Sequence, residues 1–140
     1  MVEYLNFHTA ASFFAALLVG GMTFFSFAVT PVVFRSLDRD NAGAFLARAF
    51  PVYYRSVAAC SLIAALFIFY RAEALWFGLL GLVFILVDLF LRPRIDGLRA
   101  ARRAGDAAAV RAFGRLHGAS VIINLVQWLG AIILFFRLAA

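Results

Sequence analysis

Four long runs of apolar residues decide what this chain can fold into. They cover about residues 9–34, 50–70, 74–91 and 117–136, and within them only Arg55 and Asp88 are charged. Each run has close to or more than the roughly 20 residues that a helix needs to cross a bilayer. Because 66% of the residues are hydrophobic and 14% are charged, the chain has too little polar surface for a soluble globule. The predicted fold is all-α, a four-helix transmembrane bundle forming a single integral membrane domain over 1–140.

The N-terminal run has the general layout of a secretory signal, but two features differ. The only charged residue before the run is Glu3, and the run is about twice as long as the apolar region of a signal peptide. We therefore expect it to stay in the protein as the first transmembrane helix.

The positive charge is placed unevenly along the chain. All thirteen basic side chains are arginines, and eleven of them lie in or beside the connections 35–49 and 93–116. The positive-inside rule then predicts that both connections are cytoplasmic and both termini are outside, in the plasma (bacterial inner) membrane. A net charge of +6 in these positions favours anionic inner-leaflet lipids as partners, beside the bilayer itself, and gives no reason to expect a nucleic acid.

Proline, aspartate and glycine residues predict where the helices begin and end. Asp40 is expected to cap a short helix on the membrane surface, and Pro51 to lie in the first turn of the second transmembrane helix. Pro93 is expected to end the third helix. Gly105 followed by Asp106 is typical of a helix end and a new N-cap. The segment 93–116 is therefore predicted to lie as an amphipathic segment along the inner membrane surface, between helices three and four.

A seam of polar side chains runs along the fourth apolar run. His117, Ser120, Asn124 and Gln127 are three, four and three residues apart, which places them on one side of a helix. Pointed at lipid, each would leave hydrogen-bonding groups unpaired at a substantial cost in free energy. We expect the seam to face other helices.

The first apolar run offers a matching set of polar residues. They recur at helical spacings: Ser12, Thr23, Ser26 and Thr30. Counting about 1.5 Å of rise per residue from each end places Gln127 level with Gly20 to Thr23, and Asn124 level with Thr23 to Ser26. We predict that Asn124 and Gln127 pack against these residues of the first helix.

Asp88 is the only acidic residue in the four runs, and an acidic residue inside a membrane raises a functional question. Arg92 is its i+4 neighbour, and Arg55 is expected at a similar depth. We interpret the three residues as an ion-pair cluster on the inner side of the membrane. A proton or cation step that involves Asp88 and His117 is the alternative.

The two histidines, His8 and His117, are candidate haem or metal ligands. His8 begins the first helix on the outer side, and His117 begins the fourth helix on the inner side, so roughly 25 to 30 Å separates them. One iron cannot bind both within a subunit. No cofactor is expected, and haem bound by one histidine, or by His117 residues of two subunits, stays an alternative.

The chain resembles a known family over nearly its whole length. "FHTAASFFAALLVGGMTFFSFAVTPVVFRSL", "AFPVYYR", "LRPRIDGLR" and "RLHGASVIINLVQW" are similar to the transmembrane protein 205-like domain family. These are small four-helix membrane proteins that were once described as a domain of unknown function. The resemblance implies the fold and the membrane location, and it brings no catalytic residue.

A fainter likeness is to the copper-resistance D and membrane protoporphyrinogen oxidase families. It is carried by His8, Gly20, Gly21 and Pro31, a histidine before an apolar, glycine-containing run that ends near proline. The oxidase family also uses a lysine, and this chain has none, which puts haem-linked chemistry in doubt.

Three classes of function remain open. Since no nucleophile with a base, phosphate loop or metal motif stands in the sequence, we expect neither a catalytic nor a metal site. The expected function is that of a structural or partner-binding membrane protein, with a homo-oligomer as one form. The first alternative is proton- or cation-linked transport or permeation through Asp88, Asn124, Gln127 and His117. The second is a haem- or metal-binding membrane redox protein.

Overall fold

The computed structural model describes the backbone of residues 2–140 and the side chains of residues 6–140. Within this part the chain is almost entirely helical and contains no β-strand. The elements, in chain order, are α1 (Val2–Phe24), a first π segment (Phe25–Val29), α2 (Thr30–Ser36), α3 (Arg39–Phe67), α4 (Glu73–Leu86), a second π segment (Val87–Leu91), α5 (Arg92–Gly97), α6 (Arg99–Arg103) and α7 (Ala107–Ala139). The predicted all-α class is confirmed.

Four helical stretches are long and apolar enough to cross a membrane. They are Asn6–Ser36, Arg39–Phe67, Glu73–Arg103 and Ala107–Ala139. The protein is therefore a small helical membrane protein with four candidate membrane spans. The helices extend well beyond the apolar runs at the ends that carry arginine, because alanine and arginine continue a helix into water.

The expected helix boundaries at Asp40, Pro51 and Pro93 are wrong. The N-cap of α3 is Asp38, whose carboxylate accepts hydrogen bonds from the backbone N–H groups of Asp40 and Asn41. Hydrogen bonds from the backbone N–H and the side-chain amide of Asn41 lower the pKa of the Asp38 carboxyl, and the backbone bond has the larger effect. Since α3 starts at this cap, Pro51 lies inside it, as proline does in membrane helices where local adjustment satisfies the freed carbonyl.

Pro93 continues the third span because a π segment precedes it. The Arg92 N–H bonds the carbonyl of Val87, five residues back, and Thr30 does the same with Phe25 just before Pro31. Proline has no N–H, and its ring clashes with the carbonyl four residues earlier in a regular α-helix. A widened π turn moves that carbonyl aside. The third helical stretch therefore continues past the proline.

Gly105 and Asp106 form the predicted stop and cap. Gly105 has a φ of +82°, which is the left-handed conformation that glycine adopts at a helix end. The Asp106 carboxylate accepts from the N–H groups of Ala108 and Ala109 and starts α7. Because nothing breaks the helix after this cap, residues 107–116 belong to α7. The predicted segment 93–116 is therefore divided, since 93–103 continue the third helical stretch and 107–116 begin α7.

Small residues let the helices pack closely in the core. On α1 the buried residues are Ala11, Ala15, Leu18 and Met22. Between α3 and α4, a Cβ added at Gly81 would lie 2.8 Å from Leu62 Cγ, so only glycine fits without movement. The Ser61 hydroxyl donates a 2.7 Å hydrogen bond to the Phe77 carbonyl across the same pair of helices. α3 and α4 are therefore antiparallel neighbours, and a tight turn joins them.

The two ends of the bundle differ in charge. We call the end formed by the α2–α3 turn, α5, α6 and the start of α7 the arginine-rich end. A Cβ added at Gly43 of α3 would lie 3.1 Å from the Arg99 guanidinium, so the two arginine-bearing connections meet there. At the opposite end Arg71 and Glu73 form an ion pair of 3.1 Å.

Candidate functional site: a cavity at the arginine-rich end

A cavity of about 650 Å³ opens inside the arginine-rich half of the bundle. Its walls come from the first π segment and α2, from α3, from the stretch between the second π segment and α6, and from α7. Ligand sites in proteins typically measure roughly 300 to 1,000 Å³. The cavity is therefore large enough for a small molecule or part of a lipid.

The three prolines of the chain lie beside the cavity. Pro31 and Pro93 each follow a π segment, and residues of both π segments line the cavity. Pro51 lies in α3 beside Phe50, which lines the cavity too. Proline and π turns commonly bend helices, which makes room between neighbouring spans.

The inner wall of the cavity is aromatic and holds one buried polar contact. The Tyr53 hydroxyl donates a 2.8 Å hydrogen bond to Asn124 Oδ1. Asn124 Nδ2 lies 3.5 Å from the Ser26 hydroxyl, and the Tyr53 ring stacks on Phe25 with centroids 4.4 Å apart. Tyr54 lines the wall beside Tyr53. Tyr53 and Asn124 bond each other, so an apolar molecule could lie against this pair without breaking their hydrogen bond.

A ladder of alternating charges supports the wall formed by α5 and α6. Asp88 accepts from Arg55 at 3.0 Å and from Arg92 at 2.8 Å, and Asp96 accepts from Arg92 and from Arg99 at 2.9 Å each. Asp88 is buried, whereas the Arg55 side chain is 70% exposed. The ladder thus fastens α5 and α6 to α3.

Aromatic and cationic groups form the mouth of the cavity. The Arg102 guanidinium carbon lies 4.1 Å from the centre of the Phe113 ring, within cation–π distance. The His117 ring stacks on the same phenylalanine, with centroids 5.7 Å apart and planes at 15°. Arg39 lines the mouth from the start of α3. Among the described residues, neither Arg39 nor Arg102 forms an ion pair, so both can bind an anion.

The polar seam of the fourth span lies on the inner side of α7, with different surroundings along its length. His117, Ser120 and Asn124 line the cavity. Gln127 is buried, and neither atom of its amide has a hydrogen-bond partner among the described residues. The Ser120 hydroxyl donates to the His117 carbonyl on its own helix. Along α7 the seam therefore lines the cavity from His117 to Asn124 and is buried in the bundle at Gln127.

The first span meets this seam at Ser26, which lies 3.5 Å from Asn124 and within the Thr23 to Ser26 range predicted for it. Thr23 accepts a 2.9 Å hydrogen bond from the indole N–H of Trp128, the residue after Gln127, and Gln127 itself forms no hydrogen bond with the described residues of the first span. Ser12 and Thr30 donate to backbone carbonyls of their own helix, those of His8 and Phe25. Hydroxyl groups in membrane helices commonly satisfy themselves in this way.

The two histidines lie far apart, as their positions in the sequence predict. His117 and Thr30 both line the cavity, and His8 precedes Thr30 by 22 residues of nearly continuous helix, about 33 Å. No group of three or more metal-ligating residues occurs in the described part of the chain.

Several residues of the site were not singled out by sequence reasoning. They are Arg39, Tyr53, Tyr54, Phe113 and Trp128. The paired tyrosines after Pro51 were a signal, because a tyrosine hydroxyl inside a membrane needs a partner. The sequence does not show which arginines are available to bind an anion, because this depends on which of them pair with carboxylates in the folded protein.

Comparisons with known proteins support one family. Residues 13–104 match the model of a domain of unknown function, DUF4149. An uncharacterized protein of Aquifex aeolicus (strain VF5) is 33% identical over 106 residues, 74% of this chain and 74% of that protein. No solved structure matches the chain. The family match begins within the first span, includes the second and third spans and ends just before Gly105, so α7 lies outside it. Because the match covers well over half of its residues, the chain belongs to the DUF4149 family.

Proposed function

We propose that this protein is a non-enzymatic binding protein of the membrane, whose cavity holds a molecule with an anionic head and an apolar body. The observation that carries the proposal is the pairing of an aromatic wall with two cavity arginines, Arg39 and Arg102, that have no carboxylate partner among the described residues. A structural or partner-binding role is the class that this arrangement favours.

The charges of the cavity favour an anion. Four arginines and one aspartate line it: Arg39, Arg92, Arg99, Arg102 and Asp96. Asp96 is shared between Arg92 and Arg99, which leaves an excess of positive charge at the mouth. A guanidinium binds phosphate or carboxylate through two parallel hydrogen bonds. An anionic head would fit there, and the apolar body would lie against Phe25, Tyr53 and Tyr54.

The membrane orientation belongs to the same proposal. With the arginine-rich end in the cytoplasm and both termini outside, the mouth would face the inner leaflet, where anionic lipids attract basic groups. The resemblance to the transmembrane protein 205-like family fits this placement.

Binding of hexyl phosphate, a water-soluble molecule with one anionic head and a short chain, tests the proposal. Isothermal titration of the protein in uncharged detergent should show binding of hexyl phosphate and none of hexanol. Arg102→Gln should weaken binding about tenfold, the loss expected for one charge-assisted hydrogen bond. Arg103→Gln is the matched control, because Arg103 is exposed, lies outside the cavity lining and carries the same charge. Equal effects of the two variants, or binding of hexanol as well, would refute the proposal.

Transport centred on Asp88 is less well supported. Its carboxylate accepts from both Arg55 and Arg92, so the charge is already neutralised by two fixed partners. The transport alternative requires that Asp88→Asn abolish pH-dependent flux in proteoliposomes, and unchanged flux would rule it out.

The haem alternative has one supporting feature, since His117 and the arginines share a cavity that could accept an axial nitrogen and the propionates of a haem. An absorption spectrum of the purified protein distinguishes haem binding from the binding of a colourless molecule with an anionic head. A Soret band that disappears in His117→Ala would support haem, and a colourless protein would exclude it. Native mass spectrometry of the same sample would report both the number of subunits and any retained lipid.

A further inference from the structure

We infer that the natural occupant of the cavity is an anionic phospholipid, which reaches it sideways from the bilayer through a gap between α2 and α7. This inference rests on the proposed function, because it names the ligand class of the same cavity and adds the path by which it arrives.

The gap begins where the first and fourth spans stop packing together. In the outer part of the bundle α1 packs along α7. The last contacts towards the arginine-rich end are the Trp128 to Thr23 hydrogen bond of 2.9 Å, the Phe27 and Trp128 rings, whose centroids are 5.4 Å apart, and the Asn124 amide nitrogen, 3.5 Å from the Ser26 hydroxyl. Towards the arginine-rich end, α2 makes at most marginal contact with α7. The space between them is cavity, since Phe34 of α2 and Val121 of α7 both line it.

The rim of the gap is apolar and faces outwards. Four side chains line the cavity and are nevertheless 49 to 62% exposed: Phe27, Phe34, Val121 and Leu125. Large apolar groups so exposed to water would be costly, and against acyl chains they cost nothing. The rim is therefore compatible with lipid and unsuited to a polar solute.

The gap also lies at the right depth for an acyl chain. Val121 and Leu125 follow Arg115, a basic residue of the arginine-rich end, by 6 and 10 residues of helix, which places them about 9 and 15 Å further along the axis. The hydrocarbon core of a bilayer is about 30 Å thick. The rim would therefore lie in the inner half of the hydrocarbon, level with lipid chains.

The head of a phospholipid and the cavity mouth match in position and charge. A chain that passes between Phe34 and Val121 enters the cavity that Arg39 and Arg102 also line. These two arginines could bind a phosphodiester at the membrane surface while the chain stays inside the protein. On the inner wall Tyr53 and Asn124 bond each other, so an acyl chain can lie against this pair without breaking a hydrogen bond.

Photolabelling of the protein in liposomes tests the path. The probe is phosphatidylglycerol with a diazirine on one acyl chain, diluted into phosphatidylcholine vesicles. We expect labelling inside the cavity, at Phe50 and Tyr53, and about tenfold less labelling there when Val121→Trp and Leu125→Trp together fill the gap. The matched control is Val126→Trp, which adds the same indole to an exposed position of α7 outside the cavity lining. The thermal midpoint of each variant in detergent identifies any that is misfolded, and Phe34→Trp fills the gap from α2 if the double variant is unstable.

The outcomes separate the two proposals. If the gap-filling variants lose lipid labelling but still bind hexyl phosphate, both proposals are supported. If they label as well as the control while Arg102→Gln labels less, the lateral path is wrong and the binding function stands. If phosphatidylglycerol labels neither Phe50 nor Tyr53 but hexyl phosphate binds, the natural ligand is not a phospholipid. If neither probe binds, both proposals fail.

Discussion

The Tyr53 hydroxyl donates a 2.8 Å hydrogen bond to Asn124 Oδ1 and joins α3 to α7 across the wall of the cavity. The two residues are 71 positions apart in the chain. This bond connects two spans that the cavity otherwise holds apart. It also satisfies an amide that would be costly to leave unpaired inside a membrane.

Tyr53→Phe should lower the thermal midpoint of the protein. The substitution leaves the ring on Phe25 and removes only the donor, at a cost of about 1 to 2 kcal/mol in the free energy of unfolding. Tyr54→Phe is the control, since the Tyr54 hydroxyl has no hydrogen bond among those of the described residues. Thermal unfolding in detergent measures both, and an equal loss in the two variants would show that the Asn124 bond contributes nothing.

Gln127→Leu should raise the thermal midpoint. The Gln127 side chain is buried, and its amide has no hydrogen-bond partner among the described residues. Leucine therefore removes a penalty of about 1 to 3 kcal/mol. Asn124→Leu, three residues earlier on the same seam, should lower it, because the Tyr53 hydroxyl loses its acceptor. A lower midpoint for Gln127→Leu would mean that the amide is satisfied, for example by a buried water.

Asp88→Asn should destabilise the bundle more than Glu73→Gln. Asp88 joins Arg55 of α3 to Arg92 of α5, whereas Glu73 pairs with Arg71 two residues away. We expect a loss on the order of 2 kcal/mol, below the usual cost of breaking a buried pair because Arg55 is largely exposed. Equal midpoints for the two variants would contradict the supporting role of the charge ladder.

Gly81→Ala should destabilise the α3–α4 contact, because the new methyl group would lie within 3 Å of Leu62. Overpacking of this kind costs about 1 to 3 kcal/mol. Gly78→Ala, one turn earlier on α4, meets no atom within 4 Å and should be neutral or stabilising by about 0.5 to 1 kcal/mol. The difference between the two thermal midpoints is the measurement, and a stabilising Gly81→Ala would show that Leu62 moves aside freely.

The membrane orientation can be checked with single cysteines. In a Cys60→Ala background, Ala140→Cys should react with a membrane-impermeant maleimide on spheroplasts, and Ala104→Cys should react only after lysis. The reverse pattern would place the arginine-rich end outside and remove anionic inner-leaflet lipid as the ligand.

The sequence by itself determined the four membrane spans, because helix is the only way for a single long apolar segment to satisfy its backbone in lipid. It also determined the stop at Gly105 and the cap at Asp106, which depend on glycine φ and one carboxylate. Those features are local, so neighbouring residues suffice to predict them.

Only the tertiary structure decided the rest. The hydrogen bonds of Thr23 with Trp128 and of Tyr53 with Asn124 depend on how far α1 and α3 rotate and slide against α7. Rotation and sliding are set by the packing of all the spans, including the bends at π segments that no single stretch of sequence reveals. The same packing decides which arginines pair with Asp88 and Asp96. It also leaves Arg39 and Arg102 without an ion-pair partner among the described residues. An ion pair forms only where folding brings both partners within a few ångströms.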